Sequence, residues 1–211
     1  MKKNTDDVEI VEKTVAFQGY FRVDRYLLKH RLHEGGWSDV MSREVFERGH
    51  VAGVMPYDPE RDELVFIEQF RPGAYAAALS PDADETLSPW IMEFVAGVID
   101  ANETPEDVVI REAREEAGLE IESLMPIAKY LSTPGACSEF VHVYCGRVNA
   151  TGAGGIHGLD HEHEDIRVIP VPVDEAFKWL EEGRIVNSKA LIALQWFHIN
   201  RDRVRRAWGF D

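Results

Sequence analysis

Cysteine is nearly missing from this chain. Only Cys137 and Cys145 occur in 211 residues. Two thiols cannot make a disulfide framework, so a disulfide-stapled secreted scaffold is excluded and the cytoplasm is the expected compartment. Both fall in segments that read as β structure, where buried thiols are expected. No run of about 18 apolar residues is present, which excludes a membrane-spanning helix. The opening MKKNTDDVEIVEK lacks an apolar core and does not read as a secretory leader. Positive charge is also scarce, with 23 Lys and Arg against 38 Asp and Glu and a formal net charge of −15. Phosphate contact with nucleic acid is led by Lys and Arg, so no nucleic-acid partner and no membrane partner is expected. The same deficit would repel any phosphorylated substrate, unless bound cations and a few arginines make the site locally positive.

What is present is ordinary globular material, 45% hydrophobic and 29% charged. This length buries a full core, and one main domain with an appendage is expected. Residues 8–34 alternate apolar and polar side chains, with turns at Gln18-Gly19 and Gly35-Gly36, and MSREVFERG resumes the pattern. This predicts an N-terminal antiparallel meander over 1–47, with the main domain over 48–211. A meander of that size is marginal alone and should pack on the main domain or on a second subunit. HVAGVMPY and ELVFIEQF read as strands, the second ending at Arg71-Pro72. Residues 73–89 are small, polar and proline-bearing, and predict a loop. WIMEFVAGV (90–98) reads as one strand running into the next helix. Two or three strands follow over 124–148, interrupted by the turn STPGACSE (132–139). Residues 149–158 are glycine-rich and predict a flexible link. DIRVIPVPV is a strand, VDEAFKWLEEGRI an acid-capped helix ending at Gly183, and a long amphipathic helix starts near Ser188. Its arginines 201, 203, 205 and 206 suit the negative end of the helix dipole.

The chemistry concentrates in GVIDANETPEDVVIREAREEAGL, residues 97–119. Thr104 is a good N-cap, Pro105 suits the first helical position, and Asp107 completes a capping box. The helix should run over about 105–117, with Gly118 as a left-handed stop. Glu112, Glu115 and Glu116 then span only about 100° of its circumference. Val109, Ala113 and Ala117 make the neighbouring apolar stripe. Like charges at i,i+4 destabilise a helix, so Glu112 and Glu116 call for a cation, and an all-oxygen cluster suits Mg²⁺ or Mn²⁺. A second cluster, HGLDHEHED (157–165), admits three readings: a transition-metal site on its histidines, an acidic loop that completes the carboxylate site and supplies a general base, or a solvated loop. Tyr20-Phe21, taken locally, reads as core packing, and Arg43 and Arg48 as surface ion-pair partners.

Gly97, Glu103, Arg111-Glu112, Glu115-Glu116 and Gly118, with Ala113 and Leu119 in the apolar slots, resemble the box of the Nudix hydrolases. Chance would produce that spacing about once in 10⁸ starting points. The wider series GYF, REVFERGH, IEQFR, ETLSPWIMEFVAGVID, LSTPGACSE, GIHGLDHEHEDIRV and ALIALQW resembles, in order, the bacterial ADP-ribose-cleaving branch of that family. The resemblance implies an α/β fold: a Nudix-type α/β/α sandwich with a mixed sheet, plus a small N-terminal antiparallel β domain that reaches across a homodimer. It implies metal-dependent hydrolysis of the pyrophosphate of ADP-ribose to AMP and ribose 5-phosphate. The implied ligands of Mg²⁺ or Mn²⁺ are the carbonyl of Ala96 with Glu112, Glu115, Glu116 and Glu164, and the implied base is Glu162. The implied substrate contacts are Tyr20, Phe21, Arg43, Glu44, Arg48, Arg71, Val98, Thr133, Pro134, Gly135 and Glu139. A different nucleoside diphosphate sugar, or a non-catalytic sensor, are the alternative readings. The longer loop at 73–89 departs from the family pattern and can alter the pocket rim.

Overall fold

The computed structural model describes residues 2–83 and 86–210. The chain divides into two compact units, Met1–His50 with Tyr130–Phe140, and Val51–Lys129 with Val141–Asp211.

The first unit is a three-stranded antiparallel sheet of β1 (Val8–Gln18), β2 (Arg22–His30) and β3 (Met41–Glu47), in that order. The register sets Val15 opposite Asp24 and Tyr26 opposite Arg43. Gly35 and Gly36 both take positive φ in the β2–β3 connection, which explains the glycine pair. The alternation in β1 predicts one covered face, yet every residue of that strand is exposed. Asp24 is a buried charge of the unit, held by Lys13 and Arg22, each at 2.9 Å. The turn after Leu131 closes with Ser132 N–H donating to the Glu139 carbonyl at 3.1 Å. It lies along β3, where the Phe46 N–H donates to the Ala136 carbonyl at 2.8 Å.

The second unit carries β4 (Val51–Asp58), β5 (Glu63–Phe70), α1 (Pro72–Ala78), β6 (Trp90–Glu93), β7 (Ala96–Val98) and α2 (Pro105–Ala117). These are followed by β8 (Ser123–Leu131), β9 (Phe140–Arg147), β10 (Gly155–His157), β11 (Ile166–Pro172), α3 (Val173–Glu181) and α4 (Ser188–Ala207). The main path of the sheet is β10-β11-β5-β4-β9-β8, mixed because β4 and β9 run parallel while β4, β5, β10 and β11 pair antiparallel. On one face, Ala52, Val54, Val65, Ile67 and Val168 pack against Val108, Val109, Ala113 and Ala117 of α2. On the other, Tyr57 meets Phe197 of α4 and Phe66 meets Trp179 of α3. The result is an α/β/α sandwich. Among the described residues no helix is long and apolar enough to cross a membrane.

Four expectations change. WIMEFVAGV is two strands, because β4 and β5 pair only at Tyr57–Leu64 and Asp58–Glu63 and then part. β6 pairs with β5 and β7 with β4, so the chain changes partner at Phe94-Val95, both buried. The stretch 73–89 is not all loop. Pro72 at the first helical position and the alanines after it support α1, while positions 84 and 85 lie outside the described residues. The glycine-rich stretch 149–158 ends in β10, paired to β11. Finally, Arg201 and Arg205 do more than complement a helix dipole. Both bind Asp62, and the hydroxyl of Tyr57 also donates to Asp62, at 2.7 Å. The thiol of Cys145 is buried, whereas Cys137 lies in the 132–139 turn and is only half-buried.

Helix α2 starts and stops where local chemistry says it should. Thr104 and Asp107 form the reciprocal capping box, Pro105 opens the helix, and Gly118 ends it at φ 64°, ψ 26°. The imidazole of His157 lies against Gly118, 2.8 Å from where a Cβ would sit. Removing the cap should cost about 1 kcal/mol. Urea unfolding of Thr104→Ala should therefore show that loss, and Thr104→Ser should show almost none. A Thr104→Ala midpoint equal to the parent's would mean that the cap does not limit stability.

Candidate active site

The site is built where β7 passes α2. Gly97 has no side chain, and that space is filled by Glu112: a Cβ on Gly97 would lie 1.8 Å from Glu112 Oε1. Next to it the Ala96 N–H donates to Glu116 Oε2 at 3.0 Å. One short strand thus cradles two carboxylates one helical turn apart. Glu116 is 3% exposed. Burial pushes its carboxyl up to about 8, with the nearby Glu112 as the next cause. Glu112 is raised too, chiefly by burial, and the Arg111 guanidinium partly offsets this. Two carboxyls held this way, in low dielectric and beside each other, resist ionising together without a cation.

Arg111 is the organiser of the helix surface. Its Nε donates to Glu103 at 3.0 Å, and its Nη1 reaches Glu112 at 2.8 Å and Glu115 at 2.9 Å. Those acids account for three of the family-spaced positions. Glu164 approaches from the loop before β11. Its carboxylate accepts the Leu159 N–H at 3.1 Å, and its charge acts on both Glu112 and Glu116. Gly158 makes that approach possible: it has φ 103°, and a Cβ would lie 2.6 Å from the Cβ of Glu164. Its N–H donates to the Glu115 carbonyl at 3.2 Å, which ties the loop to α2. Glu162 sits in a single 3-10 turn (Asp160–Glu162), largely exposed, with the His161 ring 3.7 Å from its carboxylate. The Nε2–H of His157 donates to the Gly154 carbonyl at 2.9 Å.

Arg71 follows β5 and is bound through Nε to Glu93 at 2.5 Å. Its charge favours the ionised form of Glu116. Gln69, two residues earlier and on the same face of β5, is buried, and its amide nitrogen has no partner among the described residues. Val98 closes β7, opposite Val51. Sequence reasoning passes over Gln69 and Asn187. The only sequence signal for Glu93 is an acid inside the otherwise apolar run WIMEFVAGV.

In the first unit, Tyr20 is 93% exposed, so it is not core; its ring meets Phe21 edge-on, with centroids 4.8 Å apart. Phe21 in turn meets Phe46 at 5.0 Å, and Arg48 lies over its ring at 5.9 Å. Arg48 also pairs with buried Glu139 at 2.8 Å, which adjoins the turn holding Thr133, Pro134 and Gly135. Tyr20, Phe21, Arg48 and Glu139 are therefore brought together. Arg43 and Glu44 alternate to opposite faces of β3, and Glu44 is paired with Arg25 at 3.0 Å.

Among the described residues, no three Asp, Glu, His or Cys side chains converge as a closed metal cage. Glu112, Glu115, Glu116 and Glu164 are each turned to a protein donor instead. The donor set still fits a hard divalent cation. It is all oxygen, partly buried, and its two innermost carboxyls are raised chiefly by burial, with neighbouring acids adding to it. The His-rich reading of 157–165 gains no such support, because His157 is committed to Gly154.

Comparison with known proteins agrees with this construction. A family model described as NUDIX domain matches residues 47–194. The chain is 45% identical over 204 residues to the ADP-ribose pyrophosphatase of Escherichia coli, covering 97% of this chain and 94% of that one. It is 38% identical over 202 residues to the ADP-ribose pyrophosphatase of Haemophilus influenzae, covering 96% and 91%. A GDP-mannose pyrophosphatase of Yersinia enterocolitica is 27% identical over 197 residues, covering 92% and 96%. Among solved structures, an ADP compounds hydrolase superposes with TM-score 0.68 over 99% of each chain at 18% identity, which is a likeness of fold. Family model, near-full-length relatives and the Gly97–Gly118 geometry converge: this chain belongs to the Nudix family.

Proposed function

We propose that this protein hydrolyses the pyrophosphate of ADP-ribose to AMP and ribose 5-phosphate. The observation that carries the proposal is the carboxylate pair of Glu112 and Glu116 set on Ala96-Gly97, in a chain 45% identical over nearly its whole length to an ADP-ribose pyrophosphatase. In this reading Glu112, Glu115, Glu116, Glu164 and the Ala96 carbonyl hold Mg²⁺, with Mn²⁺ as the alternative. Bound there, such cations neutralise the pyrophosphate and acidify water, which answers the net charge of −15.

The protein's own groups supply the rest. Glu162 accepts a proton from the attacking water as its oxygen bonds to one phosphorus in line. The bond from that phosphorus to the bridging oxygen breaks, and the leaving phosphate monoester keeps the electron pair. In this reading the Arg71 guanidinium stabilises that charge. We assign Tyr20, Phe21, Arg43, Glu44, Arg48, Val98, Thr133, Pro134, Gly135 and Glu139 to substrate recognition. The exposed apolar side chains of β1, including Ile10, Val15 and Phe17, support a homodimer built through the N-terminal sheet. The two free thiols support a reducing, cytoplasmic setting.

The 27% identical GDP-mannose pyrophosphatase keeps a second reading in view, with the same chemistry on another nucleoside diphosphate sugar. Three outcomes are expected. Mg²⁺-dependent release of AMP and ribose 5-phosphate from ADP-ribose should run well ahead of turnover of GDP-mannose, ADP-glucose or NADH. Faster turnover of one of those would transfer the specificity and keep the chemistry. Glu162→Gln should lower kcat by about 10²–10⁴ with Mg²⁺ binding retained, and unchanged turnover would remove Glu162 from its role.

The third outcome concerns pH. The folded carboxyl of Glu116, near 8, lies above its ordinary 4.5. A raised acid stabilises the fold fully below about 4.5, and that contribution is lost as pH rises to about 8. In EDTA the melting temperature should carry this loss, and added Mg²⁺ should raise it more at pH 8.5 than at pH 6. An equal rise at both values would contradict a buried, cation-seeking Glu116.

A further inference from the structure

Glu93 ends β6 and is 1% exposed, the most deeply buried carboxylate near the site. Both of its oxygens are engaged. Oε2 accepts from Arg71 Nε, and Oε1 accepts from the side-chain amide of Asn187. Asn187 is the N-cap of α4, and its Oδ1 accepts the Ala190 N–H at 3.2 Å. The amide is therefore committed at both ends, oxygen to the helix and nitrogen to Glu93. Flipping it would set oxygen against carboxylate and NH₂ against N–H.

The way Arg71 is held argues against a merely structural ion pair. A buried carboxylate normally binds a guanidinium through its two-pronged edge. Here only Nε is used, and among the described residues the two terminal nitrogens have no hydrogen bond. The side chain is 37% exposed, and the backbone N–H of Arg71 is pinned to the Pro89 carbonyl at 2.8 Å.

We infer that Glu93 and Asn187 are positioning residues: the α4 cap orients Asn187, Asn187 orients Glu93, and Glu93 grips Arg71 by Nε so that its terminal nitrogens face the substrate pyrophosphate as a free fork. This rests on the role proposed for Arg71. It extends the site to a helix N-terminus 116 positions along the chain from that arginine, with neither Glu93 nor Asn187 touching substrate.

The test is a double-mutant cycle on ADP-ribose turnover with Mg²⁺. Asn187→Asp keeps the capping oxygen and turns a carboxylate toward Glu93. It should lower kcat/KM by about 10–100-fold, the usual effect of disturbing a supporting partner. Arg71→Ala should lower kcat/KM by at least as much, and Asn187→Asp added to Arg71→Ala should change it by less than about twofold. Glu93→Gln combined with Asn187→Asp rebuilds the chain of donors and acceptors, and should recover most of the activity. Asn187→Ser, which keeps a capping hydroxyl but loses the amide, should show the same dependence on Arg71 and serves if Asn187→Asp does not fold. Full activity of Arg71→Ala would overturn the reading of Arg71 itself. An impaired Arg71→Ala in which Asn187→Asp still costs its full factor would overturn only the positioning role, as would failure of the Glu93→Gln/Asn187→Asp pair to recover.

Discussion

The structure depends on a conflict that it holds in place: two carboxylates one turn apart on α2, pressed into a sheet edge that has no side chain to spare. Glu112 occupies the volume a Cβ would take on Gly97, and Glu116 is buried against the Ala96 amide. Burial makes each carboxyl costlier to ionise, and nearby acids add to it, Glu112 at Glu116 and Glu115 and Glu164 at Glu112. That cost is useful only if a cation settles it. The apolar stripe of Val109, Ala113 and Ala117 provides the burial that forces the issue.

Around this centre, positive charge is rationed. Arg111 serves three acids at once and faces along the helix surface, where it prevents Glu103, Glu112 and Glu115 from repelling α2 apart. Arg71 is held by one edge and keeps the other. Arg201 and Arg205 are spent on Asp62 at the β4–β5 turn. A chain with a large negative excess thus sends several of its arginines to ion pairs that hold the fold together.

How much of this is legible in sequence depends on the range of the interactions. Thr104, Pro105, Asp107 and Gly118 act within one turn of themselves, so both ends of α2 could be read residue by residue. The spacing from Gly97 to Gly118 could be read because it resembles the Nudix box. The break in WIMEFVAGV could not, because it arises where β4 and β5 part, some thirty residues away in sequence. The exposure of Tyr20 could not either: an aromatic pair after a glycine reads as core unless its surroundings are known. α1 is a different case, since Pro72 and its alanines favour a helix while the prolines and polar residues beyond them suggest loop.

By itself, then, the sequence determined the helix that carries the acids, its limits, and the absence of a disulfide framework, because these follow from residue type and short spacing. Tertiary structure alone decided that Gly97 makes room for Glu112, that Glu164 lies within electrostatic reach of the pair, and that Asn187 and Glu93 stand behind Arg71. Those facts join residues from 15 to 116 positions apart. Nothing in local propensity brings such groups within a hydrogen bond of each other; only the packing of α2 and α4 on one sheet does.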